Sequence, residues 1–132
     1  MMKLIKRLLK AKILLFLALL YSVTISVLFF MPTSELPKVR VSGFDKIAHV
    51  VIHFILITLW LFYFYVKNGF KLKERSILIL FLTLLLFGII VEILQGQLTT
   101  SRGADVFDIT ANLTGSLLGI LFYKSIKKHL KI

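Results

Sequence analysis

The chain has 132 residues, 58% of them apolar, with a mean hydropathy of +0.93 and no cysteine. Soluble domains are about 45–50% apolar, so an ordinary soluble fold is ruled out, as are a disulfide framework and a thiolate metal site. Lys and Arg number 17 against 6 Asp and Glu, for a formal charge of +11, but these charges sit in short blocks between apolar runs, which argues for a membrane and against nucleic acid as the partner.

A helix needs about 20 apolar residues to cross a hydrocarbon core of about 30 Å. The first such run, residues 13–31, follows a basic block of Lys3, Lys6, Arg7, Lys10 and Lys12. It is longer than the roughly 7–15 residues of a signal-peptide core, and Phe29-Phe30-Met31-Pro32 has no small-residue cleavage pattern, so an uncleaved helix is expected. Pro32, Pro37 and small polar residues make the first connection, and Ser42 or Gly43 begins a second helix over 45–66. Trp60, Tyr63 and Tyr65 near its end read as interface anchors. Asn68-Gly69 closes it, because both residues tolerate the left-handed conformation. The third helix, 76–97, starts near Glu74 or Ser76 and is interrupted only by Glu92. Ser101 is a candidate N-cap for a fourth helix over 103–123, with Asp105 in its first turn. Lys124, Lys127, Lys128 and Lys131 then make a short basic tail. The expected fold is all-α: a single domain, 1–132, forming an integral membrane four-helix bundle.

With four spans, the N-terminus, the segment 67–75 and the C-terminus share one side. These carry the basic blocks, and the positive-inside rule makes that side the cytoplasm. A multi-pass protein of the cell membrane with both termini cytoplasmic is therefore expected, its basic blocks touching anionic lipid.

An ionisable group in mid-bilayer costs roughly 2.5–3.5 kcal/mol on insertion scales and needs a partner or a role. Asp45, His49 and His53 recur every fourth residue and line one face of the second helix. Glu92 and Gln95 are neighbours on the third. Asp105, Asp108 and Asn112 share a face of the fourth, continued by Gly115, Ser116 and Gly119. The helix directions put all of these in the outer half: Glu92 lies about 25 Å of helix rise beyond Arg75, and Asp108 about 9 Å below Arg102. One outward-facing polar cavity is expected, built from Asp45, Lys46, His49, His53, Glu92, Gln95, Arg102, Asp105, Asp108 and Asn112.

These residues carry a resemblance. Asp45-Lys46-Ile47-Ala48-His49 resembles the DKxxH signature of the VanZ-like family. Glu92-Ile93-Leu94-Gln95, then Arg102, then Asp108 to Gly115 and Gly119, is similar to that family's ExxQ…R…DxxxNxxGxxxG string over about residues 42–122. The chain departs from the family at Val50 and His53, where an aromatic residue and a tyrosine are common. The resemblance implies a small four-helix membrane protein related to one linked with low-level resistance to the glycopeptide teicoplanin, without a settled activity. It singles out Asp45, Lys46, His49, Glu92, Gln95, Arg102, Asp108, Asn112 and Gly115.

Histidines four apart point the same way, and Glu92 or Asp108 could complete a metal site. Hydrogen bonding to Asp45 and to a neighbouring helix is the favoured reading, and neither metal nor cofactor is expected. Glu92 and Asp108, with His49 as partner, are candidate acid/base groups, with packing or ligand holding favoured over catalysis. Gly115 and Gly119 read as structural, for close helix contact. Arg102 and Lys46 at the rim suit a phosphate. Three functions follow: binding of a lipid-linked or lipopeptide ligand at the outer leaflet; an intramembrane enzyme acting on a lipid phosphate or cell-wall precursor; and a structural subunit of an envelope complex.

Overall fold

Lys, Leu, Ile and Ala are good helix formers, and nothing in the first 30 residues interrupts them. In the computed structural model, which describes residues 1–31, 43–98 and 105–130, the first helix, α1, accordingly spans Met2–Phe30. The basic block is thus helical, and α1 begins well before the expected residue 13. Gly43, at φ 75°, leads into α2, Phe44–Lys67. Asn68 caps it, and Gly69 and Phe70 both take positive φ, 73° and 64°. Phe70 tolerates this uncommon conformation because its N–H donates to Tyr65 O at 2.8 Å and its ring packs edge-on against the Tyr65 ring. The chain then enters α3, Glu74–Leu98. Asp105 is the N-cap of α4, Val106–Ile126, its carboxylate accepting from Phe107 N–H, and a 3-10 turn over Lys127–Leu130 follows. Ser101, the expected cap, Arg102 and the two connections at 32–42 and 99–104 lie outside the described residues.

All four helices are long and apolar enough to cross a membrane. Large apolar side chains cover their outer faces, among them Phe16, Val23, Leu78, Leu86 and Leu121, as the surface of a lipid-immersed bundle requires. The basic blocks gather at one end. Arg7 approaches Gly69, Tyr65 Oη donates to Lys127 O at 3.1 Å, and Lys124 pairs with Glu74 at 2.8 Å.

The closest packing is between α2 and α4, and its cause is glycine. A Cβ at Gly115 would lie 2.1 Å from Val50 O, and one at Gly119 2.4 Å from Ile57 Cγ2 and 2.9 Å from Phe54 O. Backbone rests on backbone there, the approach small residues allow between membrane helices. Helix α1 covers α2 through a narrow stripe of Ala11, Ala18, Ile25 and Phe29. Tyr63 and Tyr65, expected at the interface, are instead buried, and Trp60 is half-buried with its Nε1–H donating to Ser22 Oγ at 3.2 Å. Their rings fill the basic end of the core, and the bonds of Trp60 and Tyr65 satisfy the polar tips inside the protein.

Candidate functional site

At the opposite end of the bundle the polar residues converge. His49 comes from the second turn of α2, Glu92 from the last third of α3 and Asp108 from the first turn of α4. One ligand-type atom from each lies within 4.8 Å of the other two. Glu92 is 2% exposed and His49 8%, so the cluster is inside the bundle and not on a wet rim.

Each group is oriented by a partner on another element. His49 Nδ1 is 2.9 Å from Asn112 Oδ1, and its Nε2 is 3.5 Å from Asp108 Oδ2. The Phe29 ring stacks on the His49 imidazole at 5.3 Å between centroids. Glu92 Oε1 accepts the backbone N–H of Asp105 at 2.8 Å, tying α3 to the start of α4. Lys46 Nζ donates to Asp45 Oδ2 at 2.8 Å and to Asp105 Oδ2 and Asp108 Oδ1 at 2.5 Å each. This ammonium holds the Asp105 carboxyl below the ordinary carboxylate range, helped by the Phe107 N–H.

Several sequence expectations change here. Lys46 is not a free cation for phosphate, since three aspartates already surround it. Among the described residues the cluster therefore has an excess of carboxylates, which suits cationic or hydroxylated chemistry. Asp45 does not reach His49; its side chain is 63% exposed and points to Lys46. His49 bonds Asn112 across the α2–α4 contact instead. His53 is fully buried one turn deeper, and neither ring nitrogen has a hydrogen-bond partner among the described residues. Gln95 Nε2 donates to Phe29 O at 2.6 Å, so it fastens α3 to the end of α1.

Comparison with models of known families, with curated proteins and with solved structures gives no significant match.

Two participants had no place in the expected site. Phe29, one apolar residue in an apolar run, walls the His49 side of the pocket, and nothing in its spacing marks it out. Gly88 gave a usable signal, lying four residues before Glu92 on the same helix face. A Cβ there would sit 2.9 Å from Asn112 Nδ2 and 3.1 Å from His53 Cε1, so its bareness admits both side chains. Just past this layer an apolar cleft of about 330 Å³ runs between α1, α2 and α3, lined by Leu56, Trp60, Leu84 and Phe87 among others. Leu56 is one turn on from His53, and Phe87 adjoins Gly88. Polar cluster and apolar cleft are thus neighbours.

Proposed function

We propose that this is a VanZ-like, multi-pass protein of the cell membrane, both termini cytoplasmic, whose polar pocket opens to the outer face. It takes the polar headgroup of an envelope lipid, or of a lipid-linked or lipopeptide molecule, and through it alters susceptibility to glycopeptide antibiotics such as teicoplanin. The observation that carries this reading is the convergence of buried His49 and Glu92 with half-buried Asp108, backed by buried Asn112, beside an apolar cleft. An amphiphile needs that pairing: hydrogen-bonding groups that orient a head, and apolar wall for a chain. The charge asymmetry of the sequence supports the orientation. The carboxylate excess favours a head bearing an amine or several hydroxyls over a bare phosphate.

The test is mass spectrometry of the lipids that stay with protein purified gently from its membrane. A single enriched lipid class, lost on Glu92→Gln or Asp108→Asn, is expected. A retained lipid profile identical in wild type and both variants would refute the reading. A second reading, an intramembrane enzyme acting on a lipid phosphate or cell-wall precursor, is favoured by one feature: a histidine nitrogen set against a carboxylate oxygen, with a second carboxylate beside them. Turnover of a lipid substrate with a pH optimum set by those groups would support it.

A further inference from the structure

Among the described residues, the hydrogen bonds around this cluster leave one place undersupplied with positive charge. Asn112 presents its carbonyl oxygen to His49 Nδ1, so Nδ1 carries the proton, and neutral imidazole then has a lone pair on Nε2. That lone pair faces Asp108 Oδ2, another acceptor, at 3.5 Å, with the Glu92 carboxylate also in range. Acceptors gathered in this way, inside an apolar bundle, need a positive species between them. Lys46 supplies only one positive charge, and it is shared among Asp45, Asp105 and Asp108, with no contact to Glu92 or to His49 Nε2.

We infer that His49 Nε2, Glu92 and Asp108 form a binding site for one first-row divalent cation, Zn²⁺ or Mn²⁺. One imidazole and two carboxylates are a donor set for these ions, and three protein ligands leave a coordination position open. Ligand bonds of about 2.0–2.2 Å put the donor atoms roughly 3–3.5 Å apart. The His49–Asp108 pair stands at that separation, and all three donors lie within 4.8 Å, a difference side-chain torsions can close. Two carboxylates and a neutral imidazole around a doubly charged ion also make a neutral unit, which removes the cost of burying bare carboxylates.

The partners behind the ligands strengthen the assignment. Metal-binding side chains are normally held through their remaining polar atoms. Here Asn112 holds Nδ1 of His49, Lys46 holds Oδ1 of Asp108, and the Asp105 N–H holds Oε1 of Glu92. His49 and Asp108 are each held through the polar atom they do not turn toward the other, and Glu92 is fixed by a backbone donor. The outer trio of Asp45, Asp105 and Asp108 is a different case, since the Lys46 ammonium already occupies it. The histidine pair suggested by sequence is different again, because the atoms drawn together come from three helices and His53 is not among them.

The inference concerns the same pocket as the lipid reading but does not depend on a lipid, so it is tested on the full chain in detergent, stripped with a chelator, with Zn²⁺ and Mn²⁺ added singly. Calorimetric titration should give one site per chain. Asn112→Ala should weaken it about 10- to 100-fold, and His49→Gln and Glu92→Gln at least as much, while Glu74→Gln at the basic end changes nothing. A readout that needs no variant is pulsed electron paramagnetic resonance of the Mn²⁺-loaded wild type, which should show one directly coordinated ¹⁴N. No saturable binding, or bound Mn²⁺ without nitrogen coupling, would overturn the assignment and leave a proton on Nε2 as the positive species. So would binding that survives His49→Gln and Glu92→Gln but is lost in Asp45→Asn, which assigns the ion to the outer trio.

Discussion

Gly115 offers the sharpest test of how the bundle is held together. In Gly115→Ala the new methyl would sit 2.1 Å from Val50 O, 2.9 Å from Val50 C and 3.0 Å from Val50 Cα. Carbon–oxygen contacts settle at about 3.3–3.6 Å, so α4 must back away from α2 by more than about 1 Å. The obstacle is backbone, so no rotamer can relieve it. Overpacking of this kind costs about 1–3 kcal/mol, and a clash with main chain on three atoms belongs at the upper end, about 3 kcal/mol. That is on the order of a hundredfold in the folding equilibrium and, by the scaling of small domains, on the order of 10 °C in melting temperature. Because Asn112 is one turn along the same contact, its bond to His49 should open too. The measurement is thermal unfolding of detergent-purified protein beside Thr114→Ala, an exposed neighbour expected to move stability by less than about 0.5 kcal/mol. A Gly115→Ala protein melting within about 2 °C of wild type would show that the close α2–α4 contact is not what holds these helices.

Three further outcomes are expected. Glu92→Gln and Asp108→Asn keep size and hydrogen-bonding capacity but lose charge, so both should abolish any glycopeptide-resistance phenotype of complemented cells at unchanged membrane abundance; wild-type resistance in both would end the polar-pocket reading. A membrane-impermeant thiol reagent applied to intact cells should label Ser34→Cys and Thr100→Cys and spare Asn68→Cys; the reverse pattern would invert the orientation. Lys46→Met removes the counterion that depresses Asp105. A depressed carboxyl contributes stability above its unfolded pKa of about 3.9, and loses it as pH falls through the lower folded value. Wild type should therefore exceed Lys46→Met in melting temperature at pH 7, and the gap should narrow below about pH 4; a gap independent of pH would show that Lys46 acts by packing.

The four helices were legible because the bilayer allows few alternatives: runs of about 20 apolar residues between basic blocks have one economical arrangement. The gathering of polar residues at one end followed from counting helix rise. Periodicity gives the face of a helix but not the neighbour that face meets. Of the two partners expected for His49, Asp45 and a neighbouring helix, the second is met by Asn112 on α4, while Asp45 turns to Lys46. The commitment of Lys46 to acids from α4 was hidden for the same reason, since those acids are 59 and 62 residues away in sequence. Helix α1 starts at Met2, ahead of the uncharged run, because Lys, Arg and Leu continue a helix as readily as the residues after them.

On the side facing α1, the pocket is bounded at this end by the stacked ring of Phe29 and the bond from Gln95 to its carbonyl oxygen. The glycine-spaced α2–α4 pair packs backbone on backbone behind it, and the apolar cleft between α1, α2 and α3 adjoins it in sequence at Leu56 and Phe87. If the proposed ligand is an amphiphile, its chain has apolar wall at Leu84 and Phe87 while its head meets the imidazole, so both parts are served from within the plane of the membrane.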